Sequence, residues 1–169
     1  MPELYKAVVA TYEELKKYAP EDAEIAVITE NRLEEHFHTG IMTRNVPYLA
    51  ETLPEPFAEI PVELAKKLGV KSGDIVELGN NRNRVYVRAL VTHRMPKLRI
   101  GSKEVYVVNV PWNWGWSGAH NSFDVANTIS ILVMDIVTTM QETKAFLAWV
   151  KKASPDKYTY QAKSRIQVF

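Results

Sequence analysis

Two runs rich in β-branched residues, 75–78 and 85–91, flank the segment Gly79-Asn80-Asn81-Arg82-Asn83-Arg84. Glycine and asparagine tolerate positive φ at little steric cost, so the segment predicts a hairpin tip and the runs its two strands. Similar punctuation recurs along the chain. Gly101-Ser102 marks a second hairpin, leading into a strand over 105–110 that Pro111 stops, and 145–150 predicts a closing strand. Residues 23–29 predict a further strand, whose continuous apolar centre implies burial on both faces. Pro54-Glu55-Pro56 is a stiff surface loop in this reading.

Helices are few. Thr11 and Glu14 have capping-box spacing and Glu13 pairs with Lys17, which predicts a short helix over 12–18 ended by Pro20. Pro61 ahead of Val62, Ala65 and Leu68, with Gly69 behind, predicts a second helix of about two turns. A doubly wound sheet needs longer helices alternating with its strands, so the expected fold class is mainly β (α+β), a small barrel with short helices. The expected organisation is an N-terminal extension over 1–22, a barrel domain over 23–153 and a tail over 154–169.

Composition excludes several functions. Lysine and arginine total 21 against 20 aspartates and glutamates, so no global field recruits nucleic acid or an anionic membrane. Cysteine is absent, which excludes disulfides, thiolate zinc, iron–sulfur ligation by this chain and a cysteine nucleophile. The apolar runs fall far short of the roughly 20 residues that span a bilayer, so no direct membrane insertion is expected. Met1-Pro2-Glu3-Leu4-Tyr5-Lys6 lacks the basic-then-apolar order of a secretory signal. A cytoplasmic chain is the default expectation, and a periplasmic one requires export with a signal-bearing partner.

The chemistry concentrates in Arg32-Leu-Glu-Glu-His36-Phe-His38-Thr39-Gly40-Ile-Met-Thr43-Arg44-Asn45, just after the strand over 23–29. On an extended segment His36 and His38 point to one face, with Glu34 beside them. Two such histidines begin a zinc site, yet His93 and His120 stand in unrelated contexts. Hydrogen-bonding histidines are therefore expected, and no metal ligand is assigned. Thr39-Gly40 suits a turn whose backbone approaches a ligand closely. Trp112, Trp114 and Trp116 crowd beside Asn113 and Gly115. Aromatics interleaved with amides can sandwich a flat heterocycle, plug a barrel end or meet a partner surface.

The block 32–45, then Pro54-Glu-Pro-Phe-Ala-Glu59, Ala65-Lys-Lys-Leu-Gly-Val-Lys-Ser-Gly-Asp74, Val110-Pro-Trp-Asn-Trp-Gly-Trp116, Ala126-Asn127 and Glu142-Thr-Lys-Ala-Phe-Leu147 occur in order. In that order they resemble the C-terminal domain of molybdenum or tungsten formate dehydrogenases of the dimethyl sulfoxide reductase family. The resemblance implies a double-psi β-barrel that contacts a bis(molybdopterin guanine dinucleotide) cofactor. It implies cofactor contacts at Arg32, His36, His38, Thr39, Gly40, Trp114, Asn121 and Asn127. Catalytic residues are not expected in this chain, because the resemblance leaves the metal ligand, the reacting groups and an iron–sulfur cluster to an upstream portion.

A chain of this kind is expected to be part of an oxidoreductase and inactive alone, with that catalytic N-terminal portion as its partner. Both a split gene and a reading frame cut at an internal stop produce such a chain. Two other readings stand beside it: a barrel serving as an adaptor through Trp114, Trp116 and Tyr160, and a zinc hydrolase using His36 and His38. Departures from the family pattern fall at Asn113, usually histidine, at Thr128-Ile-Ser130-Ile131, usually Asp-Leu-Thr-Pro, at Val137, usually asparagine, and at Gln141, usually proline.

Overall fold

A computed structural model describes residues 2–21, 23, 25–28, 33–100, 102–114, 126–134, 137–141 and 144–158. Its strands are β1 (Ile25–Ile28), β2 (Phe57–Pro61), β3 (Ile75–Gly79), β4 (Arg84–Thr92), β5 (Lys97–Ile100), β6 (Lys103–Asn109) and β7 (Ala145–Lys152). Pairing runs β1-β7-β3-β4-β2-β6-β5, and a further β1–β6 pairing returns the sheet to its start. Six strands thus close a ring, with β5 added beyond β6. Hydrogen-bonded neighbours on both sides leave the ring strands no open edge.

Two contacts in the ring are parallel. Ile25–Ile28 runs beside Tyr106–Asn109, and Phe57–Pro61 beside Arg88–Thr92. Parallel neighbours need long connections, which is why the barrel cannot be assembled from hairpins alone. The hairpins over 75–92 and 97–109 are antiparallel, as the turn residues predict. The strand over 145–150 is more than a closing edge: it lies between β1 and β3.

Period-two patterning builds the interior. In β4 Val85, Val87 and Ala89 point inward, and in β7 Phe146, Ala148 and Val150 do the same. Ile129, Ile131 and Val133 supply core side chains from a segment outside the ring strands. β2 buries Ala58, Glu59, Ile60 and Pro61 in succession, covered on both faces.

Three helices are present among the described residues. Helix α1 spans Pro2–Tyr18, longer than the short helix expected over 12–18. Thr11 therefore lies within it and not at a cap; Pro2 suits a helical first turn and the residues after it are mostly good helix formers. Its C-terminus is held from afar: Asn81 Nδ2 donates to the carbonyls of Lys17 and Ala19, both at 3.2 Å, and the Asn81 amide donates to Tyr18. Helix α2, Pro47–Thr52, was not expected, although Pro47 in the first turn signals it. Helix α3, Val62–Leu68, ends at Gly69 with φ 64°, as expected.

The stiff loop over 54–56 is only partly on the surface, because Pro56 is buried. Glu55 receives hydrogen bonds from Arg88 and from the Tyr158 hydroxyl at 3.0 Å. The start of the expected tail is thereby pinned to the barrel. Lys152 ties the end of β7 to the turn after α3, donating to Asp74 at 2.8 Å and to the Gly69 carbonyl at 3.0 Å.

Two outcomes follow from this packing. Gly79 faces Trp149, and a Cβ there would fall 2.4 Å from Cζ2 of the indole. Gly79→Ala should cost about 1–3 kcal/mol in denaturant unfolding, with most of the loss recovered by adding Trp149→Leu. The side-chain hydrogen bond from Lys152, with help from the Lys71 amide, holds the Asp74 carboxyl below its ordinary 3.8. That contribution is present above pH 3.8 and is lost as pH falls through the depressed folded value. Acid titration of Asp74→Asn, followed by circular dichroism, should show a shallower loss of stability below that pH.

Candidate functional site

Residues 33–45 form a string of bends and turns ending in a 3₁₀ turn over Thr43–Asn45. The expectation of an extended segment with both imidazoles on one face does not hold here. His36 is 1% exposed, while His38 is exposed with φ 55°. A left-handed non-glycine residue followed two positions later by Gly40 at φ 73° folds the chain sharply on itself. Alternation between faces needs extended backbone, which these residues lack.

His36 organises the loop from beneath. Its Nε2 lies 2.9 Å from the Leu53 carbonyl, so that nitrogen carries the proton. Nδ1 accepts from the Thr43 hydroxyl at 3.2 Å, and that hydroxyl in turn accepts from the Phe37 amide at 3.2 Å. One chain of donors and acceptors thus spans residues 36, 37, 43 and 53. Trp114 meets the His36 ring edge-on at 5.4 Å and also packs against Phe57. His38 lies against Phe37 and Trp112, at 5.3 and 5.5 Å.

Asn113 clips the loop to the segment after β6. Buried at 1% exposure, its Nδ2 donates to the carbonyls of His36 at 3.0 Å and His38 at 2.6 Å. Arg44 completes the seat: Nε donates to the Gly40 carbonyl at 3.3 Å and Nη2 to the Thr39 carbonyl at 3.2 Å. Burial lowers the Arg44 pKa from its ordinary value. A Cβ on Gly40 would lie 2.9 Å from Arg44 Nε and 2.9 Å from the Asn113 backbone oxygen, so the glycine allows this close approach.

Three buried polar atoms here have no hydrogen-bond partner: Arg44 Nη1, Asn113 Oδ1 and Trp114 Nε1. They belong to residues surrounding a single turn and comprise two donors and one acceptor. Leaving such groups unpaired costs roughly 1–3 kcal/mol each. A ligand with both acceptor and donor edges would remove that cost.

Of the residues expected to touch a cofactor, His36, His38, Thr39, Gly40 and Trp114 come together here, with His36, Gly40 and Trp114 beneath the surface. Asn127 does not join them. It sits on the 3₁₀ turn Ala126–Thr128 and lines a cavity with Arg82, Ser130 and Gln141. Arg32 and Asn121 lie outside the described residues, as do Trp116 and Tyr160 of the adaptor reading. Thr43, Arg44 and Asn113 were not singled out as site residues. The first two were legible as polar groups inside the most specific block, the third as a departure from the family. Among the described residues, no group of three or more His, Cys, Asp or Glu is placed to hold a metal ion.

Residues 26–146 match the molydopterin dinucleotide binding domain, and the chain belongs to that family. It is 42% identical over 122 residues to the formate dehydrogenase subunit alpha of Megalodesulfovibrio gigas, covering 72% of this chain and 12% of that protein. Formate dehydrogenase 2 subunit alpha (cytochrome c-553) of Nitratidesulfovibrio vulgaris is 36% identical over 156 residues, covering 92% of this chain and 15% of that one. The chain thus spans about an eighth of these relatives' length. Among solved structures, acetylene hydratase from Pelobacter acetylenicus shares the fold, with a TM-score of 0.60 and 14% identity, over 86% of this chain and 20% of that one.

Replacing Asn113 by Asp should loosen the loop specifically. The substitution removes both donors and sets a carboxylate against two carbonyl oxygens, so a cost of about 1–3 kcal/mol is expected. Amide hydrogen exchange should quicken at Gly40 and Arg44, whose N–H groups bond to Phe37 and Gly40 carbonyls, before it quickens in β3 and β4.

Proposed function

We propose that this chain is the cofactor-binding barrel of a molybdenum or tungsten formate dehydrogenase. The cofactor is the bis(molybdopterin guanine dinucleotide) form, and a catalytic portion bearing the iron–sulfur cluster completes the enzyme. The six-stranded ring with its two parallel contacts suits the double-psi topology of such domains. On this reading residues 23–153 are the functional unit, 1–22 and 154–169 are extensions, and the cytoplasm is the default location.

The observation that carries the proposal is the set of unpartnered buried atoms around the Gly40 turn. A pterin dinucleotide presents carbonyl and phosphate acceptors to Arg44 and Trp114, and ring amino donors to Asn113 Oδ1. When bound, the metal-pterin group supplies the hydride and electron chemistry. This chain's part is to bind and orient it. His38 and Thr39 form the outer surface of the seat, while His36, Gly40, Asn113 and Trp114 hold that surface in shape.

The adaptor reading loses support at Trp114, which is buried at 3% exposure. Truncating it would damage this barrel first.

Two outcomes test the proposal. Purified, metal-analysed chain should be folded yet oxidise no formate with artificial electron acceptors; turnover would defeat the assignment. In a complex reassembled with a relative's catalytic portion, Arg44→Ala should lower molybdenum or tungsten occupancy about tenfold, with Arg44→Lys intermediate. Full occupancy in Arg44→Ala would remove the Gly40 turn from the cofactor site. His36→Ala is the wrong probe, because emptying its buried hydrogen-bonded position should unfold the loop at a cost of about 2–4 kcal/mol.

A further inference from the structure

Among the described side chains of α1, Leu15 and Tyr18 pack on the barrel core, and Asn81 holds the last carbonyls of the helix. The turns before them carry an apolar stripe that the barrel leaves in solvent: Tyr5 is 72% and Val9 40% exposed. At about 3.6 residues per turn, positions 5, 9 and 16 align along one side of the helix, turned away from Leu15 and Tyr18. Residues 4–12 hold a single charged residue, Lys6. A surface helix normally keeps a polar outer face, and in proteins a helix draws most of its stability from packing. This segment has the character of one half of a helix pair.

The charges beside the stripe select the other half. Lys6 and Glu13 are both exposed and, two turns apart, share one flank of the stripe. In an antiparallel pair a two-fold axis brings equal flanks together, so Lys6 of each copy meets Glu13 of the other. Tyr5 then lies against the aliphatic stem of the second copy's Lys16, a half-exposed side chain. Glu13 also accepts from Lys16 of its own helix at 3.1 Å, and a carboxylate has acceptor sites for a further donor. A parallel pair would set this flank against the opposite one, where residues 8 and 15 are both apolar and no ion pair forms. We propose that this chain self-associates through α1, two copies packing antiparallel along Tyr5 and Val9. Nothing in this pairing depends on the cofactor role. An interface of a few helical turns falls below the roughly 1,200 Å² of stable complexes, so the dimer forms and dissociates with concentration.

Sedimentation velocity of the full chain from about 20 µM to about 1 mM tests it, the weight-average mass climbing from one chain toward two. Tyr5→Gln and Val9→Gln remove apolar contact but keep good helix formers. Each should weaken association about tenfold, with circular dichroism showing unchanged helix content and melting temperature. Lys6→Glu alone should weaken it about three- to tenfold, and adding Glu13→Lys in the same chain should restore it. That rescue reads contact between copies, because residues two turns apart do not pair within one helix. The chain has no cysteine, so Lys6→Cys and Glu13→Cys chains can be mixed under oxidation, and the mixed disulfide should form faster than either like pair. A mass that stays at one chain throughout would overturn the proposal, as would association that both Gln variants leave untouched. Failure of the double charge reversal to recover, or like pairs cross-linking as fast as the mixed one, would overturn the antiparallel pairing. A chain monomeric at every concentration, whose joining to a relative's catalytic portion is impaired by Val9→Gln, would give the stripe to that partner and likewise overturn self-association.

Discussion

The barrel closes on a buried carboxylate. β2 and β6 are joined at Glu59 and Asn109, and the Glu59 side chain is 1% exposed. Asn109 Nδ2 donates to Oε2 at 2.6 Å, while Arg94, two residues past β4, reaches Oε1. A carboxylate withdrawn from water to this degree is tolerable only with partners of that kind. The clamp ties β2 and β6 to the segment after β4 at the seam of the ring. β6 runs directly into Trp112, Asn113 and Trp114, and β2 opens with Phe57 against Trp114. The seam thus sets where the Trp segment meets the loop over 33–45.

Asparagines do much of the joining elsewhere. Asn81 caps α1, Asn80 ties the hairpin tip to the segment carrying Asn127, and Asn113 clips the His36 loop. A carboxamide is uncharged across the whole working pH range and bears two N–H groups on one nitrogen. Asn113 uses both toward the His36 and His38 carbonyls, a pairing that a neutral imidazole nitrogen, with one N–H at most, cannot reproduce. The carboxamide at Asn113 therefore supports the loop.

Local sequence determined the strands and turns whose causes are local. Glycine and asparagine at 79–83 placed the β3–β4 hairpin, Pro61 and Gly69 bounded α3, and the apolar run after Ala23 became β1, because φ preferences and side-chain alternation act within a few residues. The ordered blocks likewise determined the family. Tertiary structure decided the rest. Thr11 and Glu14 resembled a cap, yet good helix formers and Pro2 extended α1 past them. The closing of the ring through β1–β6 and β2–β4 pairs residues far apart in the chain, and periodicity does not record such partners. His36 and His38 differ by two positions and share a residue type. One was buried beneath Trp114 and the other exposed because left-handed backbone at His38 and Gly40 cancels the alternation that an extended strand would impose.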